Sequence, residues 1–193
     1  MKIYHGTSST LLPKILEEGL VPNQTSNWDH TVQSKKGFNY LTSTYATYFA
    51  VMATEQHGGE PVVIELEIDE TNLYPDEDYI AARLQREHPE RFDNLSQEDL
   101  EALVASIDVT RYQQLWEESL NNLGNVAHLG VISPECITRH SVITDKYLMF
   151  SSADAIISLP NYRICGNWYR HAIKAALGDI TIDELRQIST FDI

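Results

Sequence analysis

The period at which apolar residues recur changes twice along this chain, and that alternation limits the fold more than any other feature. Glu60-Pro61-Val62-Val63-Ile64-Glu65-Leu66-Glu67-Ile68-Asp69 alternates with period two, as a β-strand does. Val62, Ile64, Leu66 and Ile68 share one face of it. Val63, Glu65, Glu67 and Asp69 share the other, and the carboxylates make that second face a wet one. Over residues 72–122 the period turns helical, in segments 79–84, 96–104 and 112–116. Ser96, with Asp99 three residues on, resembles a capping box that starts the second of these. Gly124-Asn125-Val126-Ala127-His128-Leu129-Gly130-Val131-Ile132 returns to strand character, and Ser133-Pro134-Glu135-Cys136 turns into another strand at Ile137. The chain therefore reads as α+β, with residues 70–122 a helical insertion that completes the core or meets a substrate or an inhibitor protein.

The first stretch carries chemistry. Ile3 and Tyr4 run as a β-segment into His5-Gly6, where an imidazole sits beside an amide and a carbonyl that no Cβ shields, so a flat polar ligand can bond to both. Ser8, Ser9 and Thr10 offer N-cap hydroxyls, and Pro13 falls in the first turn. Leu11, Leu12, Ile15, Leu16 and Leu20 recur at helical spacing with Gly19 placed to stop the helix, which reads as core. Residues 21–37 are polar and turn-rich, a surface loop. Phe38-Asn39-Tyr40-Leu41-Thr42 is a second short strand, and residues 43–53, rich in Ala and Tyr, form a helix packed behind. Taken alone, a histidine after a strand is commonly a hydrogen-bonded structural residue, and Tyr-Leu-Thr is simply β-prone.

At 193 residues the chain is one domain of ordinary size, long enough to bury a core. It has no run of ~18 uncharged apolar residues and its N-terminus lacks the apolar stretch of a signal peptide, so a cytoplasmic location with no membrane contact is expected. Cys136 and Cys165 lack metal-type spacing and read as buried free thiols or as one disulfide. The net charge of −14 opposes phosphate backbones unless a local basic patch compensates. The acid is concentrated between Glu67 and Asp108 and reads as a solvated face.

His-Gly-Thr ending the first strand, the helix closing on Glu17-Glu18-Gly19-Leu20, a polar loop, then Tyr-Leu-Thr and an Ala/Tyr-rich helix together resemble the ADP-ribosyltransferase superfamily. The branch is the one with a His-Tyr-Glu signature, which includes the tRNA 2'-phosphotransferases. The resemblance covers residues 1–70 well and 123–139 loosely. It implies a split β-sandwich core over residues 1–140, NAD+ as co-substrate and no metal. It implies His5, Tyr40 and Asn125 as catalytic residues, and His5, Gly6, Thr7, Tyr40, Thr42 and Tyr48 as the binders of NAD+. In that scheme the nicotinamide amide lies on the Gly6 backbone, His5 donates to the adenosine-side ribose, and Tyr40 and Tyr48 offer aromatic faces to the nicotinamide. The loop at 21–37 would lie over the dinucleotide. Tyr48 also reads as a core aromatic beside Phe49 and Met52. Neutral nicotinamide would leave a sugar cation for an acceptor to trap.

Asn125 stands where the superfamily has its third-motif glutamate, and it would orient the nicotinamide-side ribose; it also reads as a turn cap. An amide accepts a hydrogen bond but supplies no negative charge to an oxocarbenium-like centre, which favours transfer of a single group over polymer synthesis. Glu65 and Glu67 are not the paired glutamates of the other transferase branch, because strand one carries no arginine. The resemblance implies a mono-ADP-ribosyltransferase acting on a macromolecule, protein or nucleic acid, of the sort used as a toxin or in phage–host conflict and held by an inhibitor or antitoxin protein. Two alternatives stand beside it. One is a 2'-phosphotransferase, supported by Asn125-Val126 and Pro134 and opposed by the lack of any arginine before Arg83. The other is an inactive module that binds NAD+ or a partner.

Residues 141–193 carry no resemblance. They hold apolar segments at 147–150 and 155–159, a turn at Pro160-Asn161, an amphipathic helix over 168–177 closed by Gly178 and a last helix starting near Thr181, and read as an appended C-terminal subdomain of unknown role.

Overall fold

The computed structural model describes residues 1–22, 35–158 and 162–188; the side chains of 155–158 and 162–165 lie outside that description. Most of the 21–37 loop and the Pro160-Asn161 turn therefore fall outside the described residues. In chain order the elements are β1 (Lys2–Ser8), α1 (Leu12–Glu18), β2 (Phe38–Thr42), α2 (Ala46–His57), β3 (Pro61–Glu67) and β4 (Leu73–Pro75). They continue with α3 (Glu77–Glu87), α4 (Gln97–Ser106), α5 (Trp116–Asn122), β5 (Asn125–Leu129), β6 (Ile137–Val142), α6 (Lys146–Ser158), α7 (Tyr162–Ala176) and α8 (Ile182–Gln187). The fold is mixed α and β, with an antiparallel sheet hydrogen-bonded in the order β4-β5-β2-β1-β3-β6. The chain divides into two compact units, one of 1–20, 41–69 and 132–193, the other of 21–40 and 70–131, so β2 begins in the second and ends in the first.

In the first unit β1 pairs with β3 along its whole length, from Lys2↔Glu67 to Ser8↔Pro61, and meets β2 at Tyr4↔Thr42. Helix α2 lies against the Tyr4/Gly6 face of β1. A Cβ on Gly6 would sit 2.2 Å from the Ala46 carbonyl oxygen and 2.4 Å from the Ala50 nitrogen, so only glycine admits the helix there. Tyr45, Ala46 and Ala50 of this region join Val63, Ile143, Leu148, Trp168, Tyr169, Ile173 and Leu185 in one core. Residues of α6, α7 and α8 thus help cover the face of β3 that alternation marked as wet. Glu65 on that face is 3% exposed and Val63 fully buried, whereas Glu67 is exposed as expected. What keeps Glu65 inside is pairing: Arg139 Nη2 and Thr138 Oγ1 both reach its carboxylate at 2.8 Å, with Lys2 Nζ at 3.2 Å. Arg139 also holds Asp179 at 2.7 Å, and these bonds draw both carboxyls below their ordinary range against the opposing effect of burial.

Helix α1 departs from its expected role. None of its residues is buried and Leu16 is 41% exposed; seven residues turn only a partial stripe inward, toward the turn at Pro134–Cys136. Gly19 stops it as expected, at φ 82°, and Leu20 then exchanges backbone hydrogen bonds of 2.9 and 3.0 Å with Ile132. The expected N-cap hydroxyls are used elsewhere. Ser8 Oγ and Thr10 Oγ1 donate to the carbonyls of the Gly58 turn, Ser9 Oγ accepts from Glu60 N–H, and Leu11 occupies the cap position with no side-chain bond.

The second unit holds residues 70–122, whose period reads as helical from 72 on; Leu73–Pro75 is instead a strand, β4, paired with β5. The core of this unit gathers Tyr79, Ile80, Val104, Ile107 and Val109, with Phe38 edge-on to Tyr74 at 5.6 Å. Ser96 caps α4 by accepting from Asp99 N–H, as its spacing predicts, whereas the expected helix at 112–116 is a 3-10 stretch, Val109–Leu115, that only becomes α-helical at Trp116. Strands β4 and β5 pair with Leu73 opposite His128. Among the described residues Cys136 is a free, half-buried thiol.

Candidate functional site

The residues singled out from the sequence are divided between the two units. In the first unit, strand alternation puts His5 and Thr7 on one face of β1 and Gly6 on the other, against α2. His5 is half-buried and Thr7 is 2% exposed. The side of Gly6 that lacks a Cβ is filled by α2 backbone, so the absence of a side chain there serves helix packing rather than an open wall. Thr42 is 1% exposed, and its Oγ1 accepts from the N–H groups of Thr44 (3.0 Å) and Tyr45 (2.8 Å), closing the turn into α2. The Tyr48 ring lies on α2, edge-on to Phe49 at 5.5 Å and to Tyr169 at 6.4 Å, on the helix-covered side of the sheet.

The second unit holds Tyr40 and Asn125 together with a group that sequence reasoning missed. The Tyr40 hydroxyl accepts from Lys35 N–H at 2.9 Å and faces both oxygens of Glu77, at 2.8 and 2.7 Å, donating to this carboxylate. Glu77 is the first residue of α3 and is 4% exposed; Asp76 before it, 7% exposed, is the N-cap and accepts from Asp78 N–H at 2.9 Å. These two residues correct the reading of the acidic block as a solvated face. They are buried because the N-terminus of a helix takes carboxylates, and because a strand tyrosine supplies a hydroxyl donor. Pro75-Asp76-Glu77-Asp78, a proline followed by a cap residue and acidic first-turn residues, was the local signal for it.

Burial raises the Glu77 carboxyl above the ordinary value of 4.5, opposed by the hydrogen bond from Tyr40. Burial first, then the charges of Glu77 and Asp78, raise Asp76 more strongly. The Tyr40 phenol is likewise pushed far up by burial and by Glu77, so it stays protonated and a donor.

A chain of bonds continues toward Asn125. Asp76 N–H donates to Ser119 Oγ at 3.0 Å, and Ser119 Oγ donates to the Asn125 carbonyl at 2.9 Å. The Asn125 side-chain oxygen is buried and meets no hydrogen-bond donor among the described residues. Such an acceptor is available to a hydroxyl or amine brought by a ligand. Among the described residues no three His, Cys, Asp or Glu side chains are placed to hold a metal ion, and no helix is long and apolar enough to cross a membrane.

No family model and no curated protein sequence matches the chain. Among solved structures, that of EcPltA is similar to it with a TM-score of 0.40 and 14% sequence identity, over 76% of this chain and 78% of that one.

Proposed function

We propose that this chain is an NAD+-dependent mono-ADP-ribosyltransferase with the split β-sandwich core of that superfamily, acting on a macromolecular acceptor. One observation carries the reading. His5-Gly6-Thr7 and Tyr40-Leu41-Thr42, the two motifs on which the resemblance rests, lie on β1 and β2, strands that pair antiparallel with Tyr4 opposite Thr42. The Asn125 oxygen, which meets no donor among the described residues, supports it as an acceptor for a ribose hydroxyl. The reaction breaks the bond between the nicotinamide nitrogen and C1' of its ribose, releases neutral nicotinamide and joins C1' to an oxygen or nitrogen of the acceptor, whose proton leaves. His5 binds, Tyr40 presents its ring to the nicotinamide and Asn125 orients the ribose. None of the three supplies a negative charge, which fits transfer of one group rather than a chain. A toxin or host–phage conflict protein, restrained by an inhibitor, is the setting this activity implies.

The test is incubation of purified protein with dinucleotide labelled on its adenylate and with cell extract, followed by separation of protein, nucleic-acid and small-molecule fractions, beside His5→Ala and Tyr40→Ala. Label is expected in one macromolecular fraction for the wild type and in neither variant. Binding of the dinucleotide without transfer or nicotinamide release would make the protein a binding module. Absence of binding would remove the reading altogether.

A further inference from the structure

We infer that Glu77 is a positioning residue for Tyr40: its buried carboxylate, at the first turn of α3, takes the Tyr40 hydroxyl and sets the plane in which that ring meets the dinucleotide. The inference rests on the transferase reading above. Its geometry starts from three elements that converge on one carboxylate. Strand β4 ends at Pro75, Asp76 caps α3, and the Asp76 N–H is tied to Ser119 of α5, so the backbone that bears Glu77 has little freedom. The phenol oxygen of Tyr40 sits between the Lys35 N–H at 2.9 Å and the Glu77 oxygens at 2.8 and 2.7 Å. The oxygen accepts from a backbone N–H on one side and donates to the carboxylate on the other. The ring is thereby held at its tip as well as at its strand.

A purely structural role explains this arrangement poorly. Removing a carboxylate from water is costly, and an apolar side chain of similar size packs against a tyrosine without that penalty. Among the described residues no ion pair to Glu77 offsets it. The titratable and charged groups facing Glu77 are Tyr40, the neighbouring acids Asp76 and Asp78, and Lys35, whose ammonium donates to the Val104 and Ala105 carbonyls at the end of α4. A carboxylate kept under these conditions, bonded to its own backbone N–H and to a tyrosine hydroxyl, orients that tyrosine.

The experiment compares wild type, Glu77→Gln, Glu77→Leu and Tyr40→Phe, with 3-fluorotyrosine placed at position 40 for 19F NMR in all but the last. Folding is checked by circular dichroism, and KM and kcat for NAD+ are measured by nicotinamide release. Glu77→Leu and Tyr40→Phe are expected to raise KM by ~10-fold or more with a smaller change in kcat, since a ring that rotates binds less well. Glu77→Gln keeps an acceptor and is expected to return KM to within ~3-fold of wild type. One narrow 19F line in wild type and Glu77→Gln should broaden or split in Glu77→Leu. A folded Glu77→Leu with wild-type KM and an unchanged line overturns the inference while the wild type's turnover leaves the transferase reading standing. If Glu77→Leu does not fold, a Tyr40→Phe variant with unchanged KM overturns it equally. A wild type that neither binds nor cleaves the dinucleotide removes both.

Discussion

Gly6 shows how one residue can be noticed for one reason and needed for another. Beside His5 it reads as bare backbone open to a ligand, yet the space where its Cβ would stand is occupied by the Ala46 carbonyl and the Ala50 nitrogen of α2. Both are backbone atoms, which cannot move aside as a side chain can. Gly6→Ala is therefore expected to destabilise the protein by about 3 kcal/mol. The midpoint of urea unfolding measures it, and a loss below ~0.5 kcal/mol would mean that α2 stands further from β1 than described. Glu77 is the opposite case. Its sequence context, a proline, a cap and an acidic first turn, was local and readable, but that its carboxylate meets Tyr40 depends on a hydrogen bond across 37 positions of sequence.

Helix ends were the most legible elements, because a cap involves residues three or four apart. Pro13, Gly19 and Ser96 act as their spacing predicts, whereas no hydroxyl of Ser8, Ser9 or Thr10 caps α1; Thr181, near which a helix is expected to start, caps α8. Thr181 does so most completely: its Oγ1 accepts from Glu184 N–H at 3.1 Å while the Glu184 carboxylate accepts from Thr181 N–H at 2.7 Å. The cap starts α8, whose Leu185 is fully buried in the core shared with Trp168 and Tyr169. Thr181→Ala should cost about 1 kcal/mol and speed amide exchange over residues 182–187 before the rest of the first unit. Unchanged exchange there would show that packing of Leu185 alone holds the helix. The burial of an element was less legible. Helix α1 has the spacing of a core helix and is half-exposed, because spacing states which residues share a stripe and says nothing of what covers it.

At the scale of the whole chain, the excess of acid conceals carboxylates with opposite titration. Glu65 and Asp179, bonded to Arg139, have folded pKa values below their ordinary ones, so their stabilisation is present above pH ~4.5 and lost as pH falls through the lowered values. Asp76 and Glu77 are raised, so the folded state holds their protons more tightly than the unfolded chain does and stability falls as pH rises above their ordinary values of 3.8 and 4.5. Melting temperatures measured from pH 3.5 to 8 should separate them. Glu77→Gln is expected to gain on wild type as pH rises, and Glu65→Gln to show a deficit at neutral pH that shrinks below pH ~4.5. Parallel profiles for the two variants would refute the assignment. By itself the sequence determined what short-range chemistry decides: the alternation of β3, the stop at Gly19, the cap at Ser96 and the two motifs that lie on β1 and β2, but not strand β4 or the cap of α1. Only the tertiary structure decided which acids lie inside. Burial depends on what distant segments bring, here Arg139 to Glu65 and Tyr40 to Glu77, and no local pattern records a partner that far away.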